Sequence, residues 1–228
     1  MNGLAPSYTI AERDEIQQSF DLGASIKFAV PTLVLGSSSP RRARILDRAG
    51  IKYIKILGNV DEEQYHKKLR HDGVDLEYAK YFAETLAQSK QQPFTNRIIN
   101  GAVVTADTIV FCKGRILGKP HTKEKCREQH RFISDSTMFA VTAIAVTYKG
   151  KTLAETRASK IQIAHLPDEV IEKICNEPET LECAGYRSNG AISKYIKIDD
   201  ADQQNNAGFD VPTLLSIIEK LGFDKSVL

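Results

Sequence analysis

The chain has 228 residues, of which 42% are hydrophobic and 26% are charged; this is the composition of an ordinary globular protein and excludes a disordered or fibrous chain. Its 31 basic and 29 acidic side chains leave a net charge of +2, so composition gives no reason to expect nucleic acid or an anionic membrane as a partner. No apolar run approaches the roughly 18 residues of a membrane span, and residues 1–6 lack the basic flank and apolar core of a secretory signal. The sequence therefore predicts a cytoplasmic protein that does not bind membranes.

The cysteines and histidines show no spacing that is typical of a metal site. We expect four reduced thiols, as in most cytosolic proteins, and no structural or catalytic zinc. The cysteines are Cys112, Cys126, Cys175 and Cys183.

The first 30 residues are predicted to be an N-terminal extension, and residues 31–228 a single domain. Within the extension, residues 8–29 carry apolar side chains at roughly helical spacing among charges. We expect a short amphipathic helix that packs on the surface of the domain.

From Pro31 onward, strand and helix signals alternate, which predicts a mixed α/β fold. Residues 32–35 form a short apolar strand, and a helix follows over 40–49 with Ser39 as its N-cap and Gly50 as its C-cap. A second strand over 53–57 and a helix over 75–91 complete the first half.

In the second half, a polar stretch over 105–108 is expected to interrupt a buried strand. The other expected elements are a hairpin turn at 113–115, a helix over 122–133, an antiparallel hairpin of 139–148 with 153–164, a helix over 168–175 capped by Asp168, a strand over 194–198 and a final helix over 212–221.

The strongest local chemical signal is the first strand–turn–helix. Three serines precede the helix, which begins at Pro40 and whose N-terminus favours an anion. Arg41 and Arg42 stand in its first turn, where cations are unfavourable, and this placement is explained if a multiply charged anion lies between them. The alternative is a solvated helix that is merely capped.

Acidic and basic residues further along the chain suit phosphate chemistry. Asp107 lies among apolar strand residues, where a carboxylate is costly unless it is paired or bound to metal; an Asp at a strand bulge or sheet rim is the alternative. Lys119 stands between Gly118 and Pro120, and Glu62 lies in an acidic cluster. Carboxylates of this kind suit Mg²⁺ bound together with substrate phosphates, so the combination indicates phosphate-ester or anhydride chemistry.

Five motifs, in order, resemble the Maf family of nucleoside triphosphate pyrophosphatases, with looser similarity to about residue 220. The first is the family's opening signature, and the others are similar to its V-D-E, L-A-x-x-K, A-D-T-V-V and R-I-L-G-K-P segments. In this chain they read Leu33-Val34-Leu35-Gly36-Ser37-Ser38-Ser39-Pro40-Arg41-Arg42, Val60-Asp61-Glu62, Leu86-Ala87-Gln88-Ser89-Lys90, Ala106-Asp107-Thr108-Ile109-Val110 and Arg115-Ile116-Leu117-Gly118-Lys119-Pro120.

The resemblance implies an ITPase-like mixed sheet with flanking helices, two lobes around a cleft, and metal-dependent hydrolysis of nucleoside triphosphates between the α and β phosphates. The D-T after Ala106 resembles the branch that prefers dTTP and UTP, and homodimers are common in the family. The roles implied for this chain are phosphate binding by Ser37, Arg41 and Arg42, binding of Mg²⁺ or Mn²⁺ and activation of water by Glu62 and Asp107, and charge neutralisation by Lys90 and Lys119.

The C-terminal half departs from the family pattern. The S-G-x-T-H segment is Ser134-Asp135-Ser136-Thr137-Met138 here, and the 184–190 loop is one residue shorter, with Asn189 nearest to the family's substrate-contacting glutamine. The closing segment is reduced to Asn206-Ala207-Gly208-Phe209.

Two hypotheses follow from the motifs and their departures. One is a pyrophosphatase acting on pyrimidine or modified nucleotides. The other is a catalytically weakened Maf-like protein that binds a nucleotide or a partner. The charged residues of the phosphate site are all retained, which favours the enzyme.

Overall fold

The computed structural model describes residues 10–177, 179–199 and 208–228. One mixed sheet of seven strands, in the order β2-β1-β3-β5-β6-β7 with β4 paired to β3, is flanked by helices, and the predicted mixed α/β class is confirmed. β1 runs parallel to β2 and β3, and the remaining pairs are antiparallel. The strands are β1 (Ile26–Leu35), β2 (Ile54–Lys55), β3 (Ile98–Cys112), β4 (Arg115–Leu117), β5 (Ser136–Tyr148), β6 (Lys151–Ile163) and β7 (Ile196–Ile198), and the helices are α1 (Ile10–Asp21), α2 (Pro40–Arg48), α3 (Glu63–Lys68), α4 (Leu76–Ser89), α5 (Lys123–Ile133), α6 (Asp168–Cys175) and α7 (Val211–Lys220).

The central strand β3 is continuous over 15 residues. It pairs with β5 in an unbroken register from Val103 to Cys112, so the expectation that residues 105–108 interrupt the strand is wrong. The polar side chains are tolerated because they have partners. Thr105 donates to the carbonyl oxygen of Ala87 at 2.7 Å. Asp107 therefore stands at a regular strand position, not at a bulge.

Side chains alternate between the two faces of the sheet along β3, and one of these faces carries two separate hydrophobic clusters. Val104 and Ala106 pack with α2 and α7, whereas Val110 and Cys112 pack with α5 and α6. Between the two clusters lies Thr108, whose hydroxyl is 3.0 Å from that of Thr142 on β5. A cleft opens over this pair of threonines, between the two groups of helices.

The opposite face of the sheet packs against α4. Ile109 and Phe111 share a cluster there with the apolar side of that helix. The side chain of Asp107 points to the same face of the sheet as these residues. Lys90, at the C-terminal end of α4, contacts it there. The helix predicted over 75–91 thus ends at the site.

The N-terminal segment contributes both a helix and part of the sheet. The predicted helix is confirmed over Ile10–Asp21, but β1 begins at Ile26, before the expected strand, and crosses the predicted boundary at residue 30. Ile26 pairs with Ile98 of β3, and the register shifts between Lys27 and Thr32. The shift lets Pro31 lie inside the strand, because a proline cannot donate to a regular ladder.

The residues predicted to cap α2 are confirmed in position, whereas the cap predicted for α6 is wrong. Ser39 occupies the N-cap position of α2 without a side-chain hydrogen bond, and Gly50 follows the C-cap with φ of +70°. At α6 the N-cap is Pro167, and Asp168 is the first helical residue.

The second predicted strand is shortened to Ile54–Lys55. The predicted strand over 194–198 keeps Ile196–Ile198, because residues 190–195 form a 3₁₀ turn.

A disulfide joins Cys126 of α5 to Cys175 of α6. The expectation of four reduced thiols is therefore wrong for this pair, while Cys112 and Cys183 are free. Sequence spacing could not reveal the bond, because 49 residues separate the partners and only the packing of two helices brings them together. None of the helices in the described ranges is long and apolar enough to cross a membrane.

Candidate active site

The loop before α2 is closed around Arg42. The buried hydroxyl of Ser37 accepts hydrogen bonds from the backbone N–H of Ser39 at 3.3 Å and from Nη1 of Arg42 at 3.0 Å. The Nε of Arg42 donates to the carbonyl oxygen of Gly208 at 3.0 Å. Burial lowers the pKa of Arg42, with the charge of Asp107 acting against that shift, and a guanidinium stays charged in proteins. The loop thus presents a fixed cation at a helix N-terminus.

Lys90 binds two carboxylates from different parts of the chain. Its Nζ lies 2.6 Å from Oδ1 of Asp107 and 3.1 Å from Oε2 of Glu62. Glu62 precedes α3, whereas Asp107 lies in the middle of β3. The side chains of Asp107 and Lys90 are 12% and 17% exposed, so each charge needs the other. The two carboxylates converge on one point, where a cation already stands.

Gln91 holds the end of α4 against the sheet. Its buried Nε2 lies 2.9 Å from Oγ1 of Thr105, 2.9 Å from the carbonyl oxygen of Ala145 and 3.1 Å from that of Val103. These contacts fix the residue next to Lys90 and so the position of its ammonium group. The sequence analysis missed Gln91, because its partners are distant in sequence.

Two adjoining cavities share Ser39 and Arg42 as lining residues. The larger, of about 270 Å³, is lined by residues 36–39, called the serine loop below, by residues 57–60 and by Glu62 and Lys90. The smaller, of about 140 Å³, lies over Thr108 of the sheet. Its lining comprises Ser39, Arg41, Arg42, Asp107, Thr108, Val110, Ala140, Ala184, Tyr186, Ser188 and Gly208. The guanidinium of Arg42 therefore stands between two cavities that are both lined by charged side chains.

The structure gathers most of the predicted site residues around these cavities and leaves two apart. Those that line a cavity are Ser37, Arg41, Arg42, Glu62, Lys90 and Asp107. Lys119 lies 3.6 Å from Glu182 instead, and Asn189 is an exposed residue before the 3₁₀ turn at 190–195. Neither belongs to the described linings of the two cavities.

The sequence analysis also missed Thr108, Tyr186 and Ser188 as lining residues, because isolated hydroxyl groups in a strand and a loop give no spacing signal. In the eroded closing segment, Asn206 and Ala207 lie outside the described residues.

Among the described residues, one group brings three potential metal ligands together, and it lies apart from the cavities. It consists of Cys126, His130 and Cys175. Its two sulfur atoms are joined in a disulfide and do not act as thiolate ligands. The Nδ1 of His130 lies 2.8 Å from the carbonyl oxygen of Cys126, and burial lowers the pKa of this imidazole. In this state the cluster serves the packing of α5 on α6.

A serine loop with a half-buried arginine, opposite two carboxylates that share a lysine, is typical of phosphate-binding α/β proteins. The sequence model of the Maf-like protein family matches residues 32–221. The chain belongs to the Maf family, and the resemblance of its motifs is confirmed.

The chain is similar to curated members of that family over most of its length. A nucleoside triphosphate pyrophosphatase from Chlamydia pneumoniae is 32% identical over 84% of this chain and 95% of its own. A dTTP/UTP pyrophosphatase from Neisseria gonorrhoeae is 29% identical over 84% and 95%. A 7-methyl-GTP pyrophosphatase from Nitrosococcus oceani is 27% identical over 86% and 96%. Among solved structures, a HAM1 protein from Coxiella burnetii has a TM-score of 0.35 at 14% identity, covering 82% of this chain and 90% of its own.

Proposed function

We propose that this chain hydrolyses nucleoside triphosphates between the α and β phosphates, releasing a nucleoside monophosphate and pyrophosphate. The observation that carries the proposal is the pair of adjoining cavities in which Ser37 and Arg42 face Lys90, Glu62 and Asp107. Relatives named nucleoside triphosphate and dTTP/UTP pyrophosphatase support it.

The charged groups divide the work of phosphoryl-anhydride hydrolysis, which consists mostly of positioning and charge stabilisation. Arg42 and the serine loop bind phosphate oxygens, because the guanidinium fork and the free N–H groups of a helix N-terminus both favour them. Lys90 offsets the negative charge that accumulates on the phosphates. Asp107 orients the attacking water and accepts its proton.

We propose that a divalent cation binds between the two carboxylates, where it would displace the ammonium of Lys90. Glu62 and Asp107 offer oxygen ligands that converge on one point, and Mg²⁺ is usually bound by one or two carboxylates plus substrate phosphates. Glu62 and Asp107 would hold Mg²⁺ or Mn²⁺, and the bound ion would stabilise charge on the phosphoryl oxygens. Lys119 and Asn189 lie outside this arrangement.

The smaller cavity is the proposed site of the nucleoside. Tyr186 offers an aromatic ring, and Thr108 and Ser188 offer hydroxyl groups that can bind base or sugar. We propose a pyrimidine or modified pyrimidine as the base. The Asp107-Thr108 sequence, which resembles the dTTP/UTP branch, and several relatives with that name support this choice.

A second candidate function is nucleotide binding without turnover. It is favoured by the ammonium of Lys90, which stands within 3.1 Å of both carboxylates at the point a metal ion would take. A cytoplasmic location and a homodimer stay predictions from the sequence.

The deciding experiment incubates the purified chain with dTTP, UTP, CTP, ATP, GTP and 7-methyl-GTP, with Mg²⁺ or Mn²⁺ and with EDTA. We expect monophosphate and pyrophosphate in equal amounts with metal, fastest for dTTP or UTP, and no turnover in EDTA. Release of orthophosphate would contradict the bond assigned, and undiminished turnover in EDTA would contradict the metal. Tight binding without turnover would establish the second candidate.

A further inference from the structure

The N-terminal helix α1 lies outside the residues matched by the family model, yet it contacts a loop that lines the site. Residues 57–62 connect β2 to α3, form one wall of the larger cavity and end in Glu62. The position of this loop therefore decides where the carboxylate of Glu62 stands relative to Lys90 and Asp107.

The side-chain amide of Gln17 in α1 binds both backbone groups of Leu57. Its Oε1 accepts a hydrogen bond from the N–H of Leu57 at 2.7 Å, and its Nε2 donates to the carbonyl oxygen of the same residue at 3.1 Å. Leu57 lies two residues beyond β2, the edge strand of the sheet, and the amide satisfies backbone groups that no strand pairs with there. The loop is thus fixed at its first residue.

The same helix also packs, through Phe20, against the segment 93–97 that lies next to the loop. Phe20 is one turn after Gln17. The ring of Phe20 stacks on Phe94 at 5.2 Å, and the guanidinium of Arg97 lies 3.7 Å from its centroid. Gly58 in turn lies so close to Pro93 that an added Cβ would stand 2.7 Å from the Cβ of that proline. The helix, the segment 93–97 and the loop 57–62 form one packed layer.

Phe20 is almost fully buried, whereas Gln17 is half-buried. The apolar contact therefore anchors α1, and the amide is left to set the loop. Leu57 is 39% exposed, so its side chain contributes little packing of its own.

We propose that Gln17 is a positioning residue, which holds the loop 57–62 through the backbone of Leu57 and so keeps the carboxylate of Glu62 directed at Lys90 and Asp107. The catalytic consequence rests on the proposed function. The tether itself, meaning the two hydrogen bonds between Gln17 and Leu57, does not depend on that function.

The test compares Gln17→Ala with Gln18→Ala in the full chain. Gln18 is the same residue type on the same helix but is exposed, so it is the matched control. In Gln17→Ala, hydrogen–deuterium exchange in the peptide covering 57–62 should rise about tenfold, because two hydrogen bonds are lost. Gln17→Glu should behave similarly, since it keeps the size but puts an acceptor beside the carbonyl oxygen of Leu57 and near Asp21. Gln18→Ala should exchange like the wild type.

The catalytic readout is the metal concentration that gives half-maximal pyrophosphate release. It should rise at least about tenfold in Gln17→Ala, as expected when the support of a metal ligand is removed, while KM for the nucleotide at saturating metal changes little. Unchanged exchange at 57–62, the same change in Gln18→Ala, or faster exchange throughout the chain with a large fall in Tm would each overturn the proposal. A wild type that releases no pyrophosphate would refute the proposed function, and the exchange experiment would still test the tether.

Discussion

Asp107 has a cation as its partner before any substrate arrives. The 2.6 Å contact with Lys90 offsets the cost of placing a carboxylate that is 12% exposed in the centre of a sheet. The same contact places a lysine where negative charge will accumulate on the phosphates. The pair that stabilises the folded protein is therefore also the pair that the proposed reaction would use.

Asp107→Asn should lower kcat at least about a hundredfold, the lower end for a positioned acid–base group. The amide keeps the shape of the side chain, and Lys90 retains Glu62, so Tm should fall only a few degrees. Steady-state pyrophosphate release and thermal unfolding measure the two effects. Asp47→Asn is the control, since Asp47 is exposed on α2. Wild-type turnover in Asp107→Asn would move the base elsewhere.

Arg42→Ala should raise KM and lower kcat, because a phosphate contact that strengthens in the transition state affects both. The change also removes the bonds to Ser37 and to the carbonyl oxygen of Gly208. We expect a loss of about a hundredfold in kcat/KM, measured by initial rates. Arg44→Ala should leave the rates unchanged, because Arg44 is exposed and its Nε donates to Pro40 of its own helix. Equal losses in the two variants would show that the phosphate site is misplaced.

At the scale of elements, α5 and α6 together support the wall of the smaller cavity. Besides the disulfide, Arg127 of α5 binds Glu172 of α6 through two nitrogen–oxygen pairs at 2.5 and 3.0 Å. Gln129 of α5 donates to the carbonyl oxygen of Gly185 at 2.8 Å. The loop that carries Tyr186 is thus held by α5 through this hydrogen bond, and α5 is in turn joined to α6.

Cys175→Ser should lower the free energy of unfolding by about 2–4 kcal/mol, because a bond that closes a loop of 49 residues restricts the unfolded chain. Reductant should do the same to the wild type and nothing further to the variant. Chemical denaturation with and without reductant measures both. Cys183→Ser is the control, since Cys183 is free. A wild type indifferent to reductant would contradict a stabilising disulfide.

The sequence predicted the elements whose signal is local. Periodicity predicted the helices α4 and α5 and the β5–β6 hairpin to within three residues at each end, and the motifs of the serine loop and of Asp107 led to the proposed phosphate site. What failed depended on contacts distant in sequence: the continuity of β3, the Cys126–Cys175 bond and the start of β1 before Pro31. Lys119 has a motif as clear as that of Lys90, yet its side chain points to Glu182. A motif fixes residue types and leaves the direction of a side chain to the packing around it.

For the molecule as a whole, the cleft separates the group of helices α2 and α7 from the group α5 and α6. A ligand that spans both cavities contacts the start of α2 on one side of the cleft and the loop 184–188 on the other, and a ligand that binds only the folded state raises stability. A non-hydrolysable nucleotide with Mg²⁺ at about 100 times its Kd should add about 2.7 kcal/mol.

Thermal unfolding measures this shift in the wild type, and Arg42→Ala at the same concentration should show little of it. An oligonucleotide should have no effect, because the net charge of +2 offers no extended basic surface. An equal shift with nucleotide in both proteins would place the ligand away from the cleft.

The unbroken strand β3 sets a limit on how the gene can change. Its alternate residues serve opposite faces, with Val104, Ala106 and Val110 on the cleft side and Asp107 directed to the end of α4. Deleting or inserting one codon between positions 103 and 107 would exchange the two faces beyond that point, and the carboxylate of Asp107 would then point to the cleft side, away from Lys90. The Lys149-Gly150 turn, by contrast, is exposed and contacts neither cavity. Length variation in this chain is therefore expected at that turn and selected against in β3, whatever residues the strand carries.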